Sequence, residues 1–81
     1  MFHKITEIDI KDNFIIIAKF DNGIKKQYNM KKMIEKFEVF REIENIAVFK
    51  MVKVDQGGYG IVWNDDIDLS SEEIWKNGIE I

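Results

Sequence analysis

The chain has 81 residues, 46% of them hydrophobic and 33% charged, with a formal net charge of −3, no cysteine and no proline. A chain of this length makes one domain, 1–81, and buries roughly 60–65% of the surface that it exposes when unfolded, a thin but real core. Without cysteine it builds no disulfide scaffold, thiolate metal site or thiol chemistry, as suits a reducing cytoplasm. Its twelve Lys and Arg are scattered singly or in pairs such as Lys25-Lys26 and Lys31-Lys32, which disfavours nucleic-acid binding by this domain alone. The longest apolar run, Phe14 to Ala18, is strand-sized rather than membrane-spanning, and the start Met-Phe-His-Lys lacks the features of a secretory signal.

Ile5, Ile8 and Ile10 predict a first strand, ended by the polar cluster Lys11-Asp12-Asn13. Phe14 to Phe20 is a second, with Phe14, Ile16, Ala18 and Phe20 on one face. Asn22-Gly23 tolerates the positive φ that both central residues of a type I′ turn require, so it predicts a hairpin into a third strand, Ile24 to Tyr28. The period then changes. Asn29 is placed to cap a helix whose Met30, Met33, Ile34 and Phe37 form one apolar stripe, and Val39, Phe40 and Ile43 continue it, either in one bent helix or in two short ones.

Asn45 marks the helix exit, and Ala47 to Val54 reads as a strand apolar on both faces, the mark of a sheet centre. Asp55-Gln56-Gly57-Gly58 turns the chain into the strand Tyr59 to Trp63, which Asp65-Asp66 breaks. Ser70 and Glu73 make a capping box for a last helix, Ser70 to Asn77. Glu72, Glu73 and Lys76 suit its dipole, and Gly78 stops it in a left-handed conformation. Ile79-Glu80-Ile81 either adds a short strand or frays. The order is β-β-β-α-β-β-α: an α+β fold, a mostly antiparallel sheet with two short helices packed on it.

The acidic turn Asp65, Asp66, Asp68, with Glu72 and Glu73, is the one concentration of oxygen ligands suited to Ca²⁺ or Mg²⁺. In a calcium-loop alignment starting at Asp66, however, Ser71 and Asn77 stand where glycine and glutamate are required, so turn and cap duty is the better reading. Paired carboxylates also serve acid–base catalysis, but only in a pocket that separates their pKa values, and nothing here indicates one. Gly57-Gly58-Tyr59-Gly60 passes from strand to strand and lacks the Lys-Ser/Thr pair of a phosphate loop. His3 reads as a solvated strand residue, and Thr6, Ser70 and Ser71 have no context as nucleophiles beside it. No catalytic, cofactor or metal residue is assigned, and the chain is not expected to be an enzyme.

The aromatics support two readings. In one, Trp63 packs on the last helix near Trp75 and closes the core. In the other, Tyr59, Trp63 and Trp75 join Asp65, Asp66 and Asp68 in an exposed recognition patch, since Trp and Tyr are enriched at binding hot spots.

Phe20-Asp21-Asn22-Gly23, the switch at Asn29-Met30, Phe40, Phe49, Val52-Lys53-Val54, and Trp63 followed by Asp68-Leu69-Ser70 and Trp75 together resemble a small bacterial family catalogued as domain of unknown function family 2442. The resemblance runs from about Ile5 to Trp75. The family usually carries proline after the tryptophan and glycine before the aspartate-leucine pair; here Asn64 and Ile67 stand there, so the turn must be built differently. The resemblance implies an α+β fold and, because such domains occur fused to helix-turn-helix domains, a regulatory or antitoxin-like module. It supplies no catalytic residues.

Two functions are therefore expected in order: a non-enzymatic module binding a basic protein, or a small-molecule or divalent-cation binder using Asp65 to Asp68. A homodimer through an open sheet edge is a further possibility, opposed by lysines such as Lys25-Lys26 on that edge.

Overall fold

The computed structural model describes residues 2–81; the methionine of the Met-Phe-His-Lys start lies outside them. Strands β1 (Ile5–Lys11), β2 (Ile15–Phe20) and β3 (Lys25–Asn29) form an antiparallel meander. Ile16, Ala18 and Phe20 are buried, as their alternation requires. Their partners across β1 are Ile10, Ile8 and Ile5, whose spacing departs from strict alternation. A register shift between Ile5 and Glu7 resolves this: the extra residue changes the phase, so all three isoleucines face the core.

Both hairpin loops differ from expectation. Phe14 is not the first residue of β2 but the end of the loop, and it follows Asn13 into the left-handed region (φ 64° and 62°). An L-residue resists that conformation by roughly 1–2 kcal/mol. Its ring is held there edge-on to Phe49, centroids 5.1 Å apart, while its carbonyl accepts from Met30 N–H at 2.9 Å. At Asn22-Gly23 only the glycine has positive φ (88°). Phe20 C=O accepts from Gly23 N–H and Phe20 N–H donates to Ile24 C=O, which makes a three-residue loop with glycine at the left-handed position rather than a two-residue type I′ turn.

Helix α1 spans Lys31–Lys36, and Asn29 Oδ1 accepts from Lys31 N–H at 2.9 Å. Phe37 is extended (φ −120°, ψ 124°) and breaks the stripe, so a separate 3₁₀ helix follows over Glu38–Glu44. At three residues per turn Phe40 and Ile43 eclipse, and both are buried.

The expected central strand over Ala47 to Val54 is a correction. Asn45 does not release the chain into a strand; its Oδ1 accepts from Ala47 N–H at 2.9 Å and starts a one-turn helix α2, Ile46–Phe49. Only Lys53–Val54 remain extended, as β4 at the edge of a second sheet. A short apolar run fits helix and strand alike, and here the cap decides. The second sheet is β4-β5-β6, all antiparallel, with β5 Gly60–Asn64 and β6 Ile67–Ser70. Strand β6 is the element that the acidic composition obscured: Ile67 and Leu69 are buried, and Asp68 and Ser70 are exposed.

Helix α3 (Ser71–Asn77) follows directly, and β7 (Ile79–Glu80) returns to pair with Lys26 and Gln27 of β3. The first sheet is thus β1-β2-β3-β7, and Lys25-Lys26 lie on an interior strand instead of an edge. Gly78 is extended (φ −74°, ψ 164°), not left-handed. It is glycine for another reason: a Cβ there would collide with the Ile74 carbonyl and lie 3.1 Å from Lys26 Cβ, so β7 docks only without one. The fold is α+β, in two sheets and four short helical segments where one sheet and two helices were expected. One core joins them, from Ile16, Phe20 and Met30 through Ile43 and Phe49 to Ile61 and Ile74.

Candidate functional site

Helix α3 is the organising element. Ser70 Oγ accepts from Glu73 N–H at 3.1 Å, one half of the expected capping box. The reciprocal half is not made, because the Glu73 carboxylate is taken by side chains from elsewhere. Tyr28 Oη and Asn77 Nδ2 each donate to Glu73 Oε2 at 2.8 Å. Tyr28 is nearly buried on the inner face of β3, where a phenol needs a partner. Burial, reinforced by the neighbouring Glu73 carboxylate, pushes its pKa well above the ordinary 10.0. Beside this network lies a groove of about 530 Å³ between β3, α1 and α3, with Met33 and Ile79 as its apolar surface and Lys32 and Lys36 among its lining residues.

A second cluster engages Glu72 and Trp75. The start of the chain folds over α3: His3 stacks on Trp75, with centroids 3.9 Å apart and planes at 11°. Phe20 meets the same indole edge-on at 5.0 Å, and Lys26 Nζ lies 4.7 Å from its centroid. Glu72 accepts from His3 N–H at 2.7 Å and from the ring, whose Nδ1 is 3.1 Å away and carries the hydrogen facing an ionised carboxylate. The backbone N–H first, and the ring second, hold the Glu72 carboxyl below its usual 4.5. His3 is accordingly half-buried and bonded, not a solvated strand residue.

The residues of the expected patch are not gathered together. Trp63 is 5% exposed; its Nε1 donates to Phe49 C=O at 3.1 Å, and its ring neighbours are Phe40 and Phe49, each at 6.3 Å. Trp63 and Trp75 therefore belong to separate aromatic clusters, and neither closes the core against the other. Tyr59 is half-exposed beside Phe2 and Lys4, with ring centroids 5.3 Å apart in the first pair. Asp65 and Asp66 form the exposed β5–β6 turn, which Asn64 builds by accepting from Asp66 and Ile67 N–H at 2.9 and 3.0 Å. That is how this turn does without the proline and glycine expected there. Tyr59 and Asp65 lie at opposite ends of β5, about 20 Å apart at strand rise. Asp68 is exposed on β6 opposite Val62, so Asp66, Asp68 and Ser70 follow a turn and a strand rather than winding around a point. Among the described residues no three acidic or histidine side chains are grouped to hold a metal ion.

These features define a small α+β domain of two antiparallel sheets fastened by its last helix, with open surface grooves. The chain belongs to the family described as "Protein of unknown function (DUF2442)", whose family model matches residues 5–80. No curated protein and no solved structure matches the chain. No helix among the described residues is long and apolar enough to cross a membrane.

Proposed function

We propose that this chain is a non-enzymatic protein-interaction module of regulatory, antitoxin-like type, acting in the reducing cytoplasm and binding a basic partner. The observation that carries this is a run of exposed large apolar side chains, with acidic ones interspersed, on the segment between the two sheets. Phe37, Val39, Ile46 and Met51 are 42%, 52%, 48% and 65% exposed, an unusual concentration of large apolar side chains within fifteen residues of a thin-cored chain. Val39 and Glu42 eclipse along the 3₁₀ helix, and Glu42 Oε2 accepts from Asn64 Nδ2 at 3.3 Å, which links this row to the turn bearing Asp65 and Asp66. Apolar anchors beside a negative rim suit a basic protein surface, with the charges serving encounter and specificity.

Trp63 is not part of this surface but the support beneath it, through Phe40 and Phe49. The cation-binding alternative gains no support from Asp65, Asp66 and Asp68, whose placement is given above. The test is affinity capture from the native host at low and moderate salt with wild type, Val39→Asp, and Asp65→Lys with Asp66→Lys. A basic partner should be recovered by wild type and lost by both variants. Recovery of no partner, or of the same proteins by all three, overturns the proposal.

A further inference from the structure

The groove between β3, α1 and α3 adjoins that surface at Lys36, whose Nζ lies 5.4 Å from the Phe37 ring centroid, and is opposite in charge. Lys32 and Lys36 stand one turn apart on α1, side by side at about 5–6 Å between Cβ atoms. Neither pairs with a carboxylate among the described residues. Glu73, the acidic group of the groove, has its carboxylate engaged by Tyr28 and Asn77. The groove therefore presents two ammonium groups against one carboxylate, a net positive charge, beside the apolar side chains of Met33 and the largely exposed Ile79.

We infer that this groove binds an extended acidic peptide segment of a partner protein, carboxylates on Lys32 and Lys36 and apolar side chains against Met33 and Ile79. Three observations select that occupant. The groove's volume, about 530 Å³, is that of a ligand site, yet it lies open along α1, which suits a chain passing through. Its apolar component favours an amphipathic ligand over a simple anion. A polyanion such as nucleic acid would meet only these two lysines on a domain of net charge −3, too little positive field to hold it. In an extended peptide successive side chains alternate, so acidic and apolar residues in turn match the lysines and the apolar side chains.

The inference does not rest on the basic-partner reading, and its test separates the two. The probe is a short fluorescein-labelled peptide of alternating Glu and Leu, titrated by anisotropy at low and high salt; the same peptide with Lys for Glu is the control. Wild type should bind the acidic peptide saturably, more weakly at high salt, and not the basic one. Lys32→Glu with Lys36→Glu should weaken binding about tenfold or more, since two exposed ion pairs are lost and replaced by repulsion. Ile79→Asp should weaken it several-fold, and Asp65→Asn with Asp66→Asn should leave it unchanged. All these positions are exposed, and melting curves verify that the variants remain folded. Absence of saturable binding, salt-independent binding, equal binding of the basic peptide, or undiminished binding by the lysine variant overturns the inference.

Discussion

Tyr28→Phe removes one oxygen and leaves the aromatic ring in the core, so it isolates the bond from β3 to α3. That bond is 2.8 Å long and ends on a carboxylate, and bonds of this kind contribute about 1.5–3 kcal/mol. Glu73 is only partly buried and keeps its second donor, Asn77 Nδ2, at 2.8 Å, so water at the groove replaces part of what is lost. The expected loss is about 1 kcal/mol, or a fall in melting temperature of about 4–8 °C for a domain of this size. Glu73→Leu should cost more, because it strands the phenol inside the protein. The alkaline behaviour supplies an independent check. The folded-state pKa of Tyr28 lies above the unfolded value of 10.0, so its contribution is complete below pH 10 and is lost as pH rises above it. Urea unfolding followed by tryptophan emission should show the difference between wild type and Tyr28→Phe shrinking above pH 10. A variant as stable as wild type, or a difference unchanged across that range, refutes the reasoning.

The two tryptophans should respond differently to acrylamide: Trp75→Phe leaves only the shielded Trp63 emitting, Trp63→Phe leaves the half-buried Trp75, and equal quenching would contradict the structure. Gly78→Ala should lower the melting temperature by about 10–20 °C, since overpacking of about 2–3 kcal/mol follows from the Cβ against the Ile74 carbonyl; an unchanged melting curve would show that β7 does not dock there. Glu72→Gln tests the tie to His3. The Glu72 carboxyl is held below 4.5, so the stability that it adds is present above that pH and lost as pH falls through its folded value; the wild-type advantage over the variant should vanish in acid, and a constant advantage would refute the tie.

What was legible in the sequence was local. The buried face of β2 follows from alternation at Ile16, Ala18 and Phe20, and the start of α3 from the Ser70 hydroxyl three residues before the amide that it caps. Where the reading failed, two local rules competed. The apolar Ala47–Phe49 suited a strand until the Asn45 cap turned it into a helix. Ile67–Ser70 alternates as a half-buried strand should, but Asp68 reads from the sequence as part of the acidic turn that begins at Asp65. The candidate sites were least legible, because their partners are remote: Tyr28 meets Glu73 across 45 positions and His3 meets Glu72 across 69. A buried tyrosine announces that its hydroxyl needs an acceptor, but not which carboxylate supplies it. The scattered lysines gave no sign that two of them flank a groove, since that depends on α1 lying beside α3.

The fastening of residues 3–5 has a bearing on how the domain is born. Ile5 N–H donates to Gly58 C=O at 2.8 Å, Lys4 C=O accepts from Asp21 N–H at 2.8 Å, and His3 grips Glu72. This segment thus waits for a helix that is made 69 positions later before it can settle, an ordering that slows folding because long loops must close first. During translation the three-stranded meander would stand with its isoleucines uncovered, in need of shelter until α3 clears the ribosome.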